Sequence, residues 1–256
     1  MQGLALAAII VGHASAAYAA DRVISGFSTG KGHKYQLSAL EYKVFESLIQ
    51  ADAIDFAEGR NSIFSARIGI VRVNSDDLTK AYDSNEVAAD RSYKGKTLFV
   101  TGRIGSIKSG VGGRPYFVLG PHLLAPQARI QKDFTDFAAQ AKKGQVVRLV
   151  CVGAGATLSM PTLNDCKPAR QVAIDEAVNL ATYADRVLSG TGTDEFAQQL
   201  IAYAIAAADG LNQDSCEGGY GACVKAAFRV MNSAGSEDRM ARAQQTLKAA
   251  GVQLLD

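Results

Sequence analysis

Two tyrosines and six cations stand close together in the middle of the chain: Tyr93, Lys94, Lys96, Arg103, Lys108, Arg114, Tyr116 and Arg148. Guanidinium and ammonium groups attract a polyanion over several ångströms, and exposed aromatic rings stack on bases, so this set has the chemistry of an anion site. The local charge balance points the same way. From Arg91 to Arg170 thirteen Lys or Arg stand against three acids, Asp133, Asp136 and Asp165, for a net of +10 in a chain whose total is only +2. The rest of the chain is therefore acidic. Phe99 and Phe117 lie in the same stretch and are further stacking candidates.

Other chemistry has little to stand on. The histidines are His13, His33 and His122, far apart in sequence, and no metal-ligand cluster emerges from them. The G-x₄-G-K-[ST] phosphate loop is missing, and the Gly-rich "GSIKSGVGG" has the form of a hairpin turn. A non-enzymatic binding module without cofactor or metal is the expectation. Four cysteines form two close pairs, Cys151 with Cys166 and Cys216 with Cys223. Counting allows three connectivities, of which local pairing is the simplest. Neither pair has the C-x₂-C spacing of a zinc clip.

Compartment decides what those thiols do. Residues 1–19 read as a signal peptide, with an apolar run from Leu4 to Val11 and an Ala17-Tyr18-Ala19 cleavage motif before Ala20, although no Lys or Arg precedes the run. The run is too short to span a bilayer, and no later one approaches the roughly 18 residues required. A periplasmic or secreted protein with two disulfides is expected, with no membrane span.

The elements that must position the cations follow from periodicity. Residues 20–72 form an N-terminal helical segment with one amphipathic helix, "SALEYKVFESLIQADAIDFA", whose Leu40, Val44, Leu48 and Ile49 share a face. A second helix begins near Ser75, its expected cap, with Asp76 and Asp77 at the positive end of the dipole, and runs to about Ala89. From Tyr93 the period changes to two. "KTLFVTGRIGSIKS" places Leu98, Val100 and Ile104 on one face and Phe99, Thr101 and Arg103 on the other, with glycines that let it bend. Strands in "RPYFVLG" and "QARIQKDF", a helix from Thr135, and strands in "GQVVRLVCVGAG" and "TLSMPTLNDC" complete residues 73–168. Five strands with a helix between the third and fourth is the order of an OB-fold barrel. Residues 169–256 are helical, with Val172, Val178, Leu180, Tyr183, Val187 and Leu188 in one apolar set, Phe196, Leu200, Ile201, Tyr203, Ala204 and Ala208 in the next, and Ser236 as the cap of the last helix. The fold class is α+β: a five-stranded barrel, a helical segment before it and a helical domain after it.

The run "DDLTKAYDSNEVAADRSYKGKTLFVTGRIGSI", followed by "GQVVRLVCVGAG" and "LNDC", resembles the tRNA-anticodon-like OB-fold family of exported bacterial proteins over residues 73–168. The resemblance implies the barrel and carries no catalytic residues with it. A Cys151–Cys166 bridge would join the last two strands. Two functions are compatible with these features. One is a module that presents its cations to an anionic ligand: nucleic acid, an acidic glycan or an acidic protein. The other is an envelope accessory or inhibitor that meets a protein partner through its C-terminal helices. Salt weakens the first kind of binding and spares the second.

Overall fold

Alternation along Thr97–Ser109 makes a thirteen-residue strand that serves two neighbours in turn. The computed structural model describes residues 32–255, so the expected signal peptide lies outside the described residues. Among the described residues, five helices and strands precede the barrel core. Helices α1 (Ala39–Ala57) and α2 (Ile63–Ile68) come first, then strand β1 (Val71–Asn74) and helices α3 (Ser75–Ser84) and α4 (Glu86–Tyr93). Strands β2 (Thr97–Ser109), β3 (Pro115–Leu119) and β4 (Gln127–Ile130), helix α5 (Thr135–Gln140), and strands β5 (Val146–Thr157) and β6 (Met160–Pro168) follow. Helices α6 (Ala169–Ser189), α7 (Glu195–Ala208), α8 (Tyr220–Met231) and α9 (Ser236–Ala249) end the chain.

The first half of β2 pairs antiparallel with β5, from Thr97 opposite Val152 to Arg103 opposite Val146, and its second half pairs with β3. Strands β3 and β4 are antiparallel, β4 and β6 parallel, and β6 and β5 antiparallel, which closes a five-stranded barrel. Helix α5 joins β4 to β5, as the sequence order requires. Strand β1 is an addition that the sequence did not announce. It pairs parallel with the start of β2, Val71 opposite Leu98.

Two glycines make this closure possible. A Cβ on Gly105 would stand 2.0 Å from the carbonyl oxygen of Gly120, at the bulge where β2 changes partners, and one on Gly153 would stand 2.2 Å from that of Tyr93. Gly153 also exchanges backbone hydrogen bonds with Gly95 and Lys96 there, so backbone cannot retreat without breaking them. Gly153→Ala is expected to destabilise the protein by at least the roughly 1–3 kcal/mol of an overpacked core site, read as a lower urea midpoint.

The barrel interior takes Leu98, Val100, Ile104, Phe117, Leu149 and Leu163, with the Cys151–Cys166 disulfide among them. Leu78 and Tyr82 of α3, and Phe137 and Ala138 of α5, pack against the same core. Asn74, and not Ser75, caps α3: its side chain accepts from the Asp77 amide, while Ser75 is already helical and buried. The expected single helix is two, broken at Asn85, which ends α3 and caps α4 by accepting from the Ala88 amide.

A second core gathers the helices from both ends of the chain. Val44, Phe45 and Ile49 of α1 pack with Leu180, Ile201 and Leu247 of α6, α7 and α9. Phe99 and Val150, directly opposite on the outer wall of the barrel, belong to this core, and Phe99 meets Phe56 edge-on at 5.7 Å. Ser38 and Glu41 cap α1 reciprocally. Cys216 and Cys223 form the second disulfide, before and within α8. Val178 and Tyr183, expected in the apolar set of α6, are exposed at 46% and 37%. Gly235 in the left-handed region, and not the Ser236 side chain, starts α9.

Candidate functional site

Phe117, in the middle of β3, points into the barrel, so its neighbours Tyr116 and Val118 point out. Tyr116 is opposite Lys108 on β2 and opposite Arg129 on β4. Residues directly opposed in antiparallel strands share a face. A half-buried tyrosine is thus flanked on both sides by exposed cations, in one row across three strands. Arg129 extends the row to β6 by donating from Nη1 to Asn164 Oδ1 at 3.3 Å. At a strand spacing of about 4.8 Å the row from Lys108 to Asn164 is about 14 Å wide. Arg114, two residues before Tyr116 in extended backbone, stands on the same face at the exposed end of the β2–β3 hairpin. Among the described residues, Lys108, Arg114 and Arg129 belong to no ion pair with a carboxylate.

The other expected residues lie elsewhere. Arg148 is opposite Thr101 and Arg103 is opposite Val146, which makes the two arginines diagonal neighbours on the β2–β5 wall. Arg103 donates to the Gly144 carbonyl at 2.6 Å. Tyr93 ends α4, and Lys94 and Lys96 lie in the turn that leads into β2, at the opposite end of that strand from Lys108. Tyr93 packs against the barrel core and against Tyr82, with ring centroids 6.4 Å apart. Lys94 is already engaged with Asp90, Nζ to Oδ2 at 2.9 Å. Phe99 and Phe117 are buried in the two cores and offer no ring to a ligand. Sequence reasoning missed Arg129 as a site residue. Its signal was there in "QARI", where Ala128 and Ile130 are the inward pair and Arg129 must face out.

The Asp90 cluster also titrates. Lys94 beside it, and then the Tyr82 hydroxyl, hold the Asp90 carboxyl below its ordinary value, while burial and Asp90 push the Tyr82 phenol up. A carboxylate whose folded pKa is depressed contributes stability above its unfolded pKa and loses it as pH falls through the folded one. Asp90→Asn is therefore expected to be less stable than the parent at neutral pH, with the difference closing below the ordinary carboxylate range near 3.8. Urea midpoints measured from pH 7 downward would show it.

Among the described residues no group of three His, Cys, Asp or Glu is placed to hold a metal ion, and no helix is long and apolar enough to cross a membrane. His122 is exposed, and His33 meets Asp185 at 2.7 Å in the helical region.

A closed five-stranded barrel with its helix between the third and fourth barrel strands defines an OB-fold protein. The chain belongs to the tRNA_anti-like family, whose profile matches residues 5–167. A solved structure of a lipoprotein from Klebsiella pneumoniae, whose name proposes nucleic-acid binding, shares 19% identity over 41% of this chain and 95% of its own, with a TM-score of 0.34. An overlap of that size transfers nothing about a ligand. No curated protein matches the chain.

Proposed function

We propose that this protein is an exported, non-enzymatic module that holds single-stranded nucleic acid on the outer face of β2, β3 and β4. The observation that carries the reading is the Lys108–Tyr116–Arg129 row. A base stacks on Tyr116 while the flanking cations take phosphates on either side, and Arg114 lengthens the track. Sequence-tolerant single-strand binding needs this combination of an aromatic face and a basic groove. The local charge of +10 from Arg91 to Arg170 supplies the long-range attraction, and membership of the tRNA_anti-like family agrees with it. The two disulfides fit an oxidising compartment outside the cytosol.

The test is fluorescence anisotropy of labelled oligothymidylate and oligouridylate across a salt series. Tyr116→Ala should weaken binding by the roughly 1–3 kcal/mol of one stacked base. Lys108→Ser and Arg129→Ser should each reduce the slope of log affinity against log salt by about 0.7, the value for one phosphate contact on a single strand. Affinity that ignores all three substitutions would remove nucleic acid from this face. Loss with the cationic substitutions alone, Tyr116→Ala being silent, would mean that the face attracts polyanions by charge without stacking a base, which overturns the single-strand reading.

A further inference from the structure

The helical region contains a cavity of about 410 Å³ between the start of α1, the end of α7 and α9, far from the row on the barrel. Leu40, Ile205 and Leu211 contribute apolar surface to its lining. Its charged groups are two carboxylates, Glu41 and Asp209, and two guanidiniums, Arg239 and Arg242, so the lining is neutral as a whole and charged locally, and Tyr35, Ser38, Gln213 and Thr246 add uncharged polar groups.

Arg239 carries the argument. Its Nη2 donates to the Val230 carbonyl, the Ser233 hydroxyl and the Ala234 carbonyl at 2.7, 2.8 and 3.3 Å, and its Nε is buried and donates to nothing. Neutral oxygens fix the guanidinium in place without balancing its charge, and among the described residues no carboxylate pairs with it. Arg242, on the same helix, meets Asp209 at 2.6 Å, with both side chains more than half exposed, so that pair can open. The acid from α1 is equally fixed. Glu41 accepts from the Tyr35 hydroxyl at 2.9 Å and from the Ser38 amide at 2.6 Å, which leaves its remaining lone pairs toward an incoming donor.

We infer that this cavity is a binding site for a small zwitterion with an apolar body, of the amino-acid class. Its carboxylate lies toward Arg239 and Arg242, its ammonium toward Glu41, and its side chain on Leu40, Ile205 and Leu211. A simple anion would meet Glu41 and Asp209 as like charges, and a simple cation would meet the arginines. The lining is more polar than the ordinary small-molecule site, which suits a ligand that carries two opposite charges.

Calorimetric titration of the full chain with three probes tests it: phenylalanine, phenylalaninamide, which lacks the carboxylate, and N-acetylphenylalanine, which lacks the ammonium. Phenylalanine should bind at least about tenfold more tightly than either blocked form, the loss of one charge-assisted hydrogen bond. Arg239→Gln should bring phenylalanine down to the level of its amide. Should that variant fold poorly, Thr246→Phe, at an exposed position on the cavity wall, should close the site with the melting temperature unchanged. No saturable heat with phenylalanine, or equal affinity for all three probes, or binding that survives Thr246→Phe, would overturn the assignment. The barrel face is untouched by these variants, so the two ligand assignments stand or fall apart.

Discussion

Arg67→Ala is expected to destabilise the protein by about 3–5 kcal/mol, a large share of the roughly 5–15 kcal/mol that holds a typical domain folded. Arg67 is on α2, with only 11% of its side chain exposed, and it joins three helices. Its Nη1 reaches both carboxylate oxygens of Asp194 at 2.8 and 3.1 Å, and its Nε stands 3.8 Å from Glu176 on α6. The guanidinium also lies over the rings of Tyr183 and Phe196, at 5.2 and 5.4 Å. Asp194 in turn caps α7 by accepting from the Ala197 amide at 2.8 Å. Truncation would leave two carboxylates, each 19% exposed, without a counter-charge. The cost comes from those orphaned acids more than from the lost attraction. Changing Arg67→Met, Glu176→Gln and Asp194→Ser together, which removes the charges and keeps a capping oxygen, should recover most of the loss. Urea unfolding of the two variants decides between these terms. Equal destabilisation of single and triple variants would mean that packing of the arginine stem over the rings, and not charge, holds this junction.

The barrel was legible because its signal is local. In β2 the inward set Leu98, Val100 and Ile104 follows period two, and the glycines mark the places where the strand bends. The same alternation mispresented Phe99. Its face is outward from the barrel, which suggests solvent, yet helices from both ends of the chain cover it, and nothing near residue 99 announces a cover supplied by Phe56. Strand β1 escaped for a related reason. "VRVN" is too short for a periodic signal, and it becomes a strand only because β2 offers a free edge to it. The cations show the limit most clearly. Composition marked the segment as basic, but only register shows that Lys108 and Arg129 frame Tyr116, that Arg103 and Arg148 occupy another wall, and that Lys94 spends its charge on Asp90.

Replacing Cys151 and Cys166 together with Ala is expected to cost about 3 kcal/mol, against about 2.4 kcal/mol for Cys216 and Cys223. The sequence separations are 15 and 7, and in the chain-entropy account the longer loop restrains the unfolded chain more. The ranking of the two bridges is the sharper test. Burial adds to both figures in the same direction. Cys151 and Cys166 lie at 2% and 0% exposure inside the barrel, and Cys216 and Cys223 at 6% and 0% in the helical core, so each double variant also leaves small voids. Position matters for function as well. The first bridge ties β5 to β6, and Cys166 is opposite Ile130, one residue along β4 from Arg129. Removing it should loosen the strand that holds one end of the cationic row, whereas removing Cys216–Cys223 should leave that row intact. Urea midpoints together with oligonucleotide titrations at fixed salt would separate the two. A barrel variant that loses stability and keeps full affinity would show that β3 and β4 hold the row without help from β6. A helical variant that loses affinity would join the two cores into one binding unit through Phe99 and Val150, the residues by which the barrel wall enters the helical core.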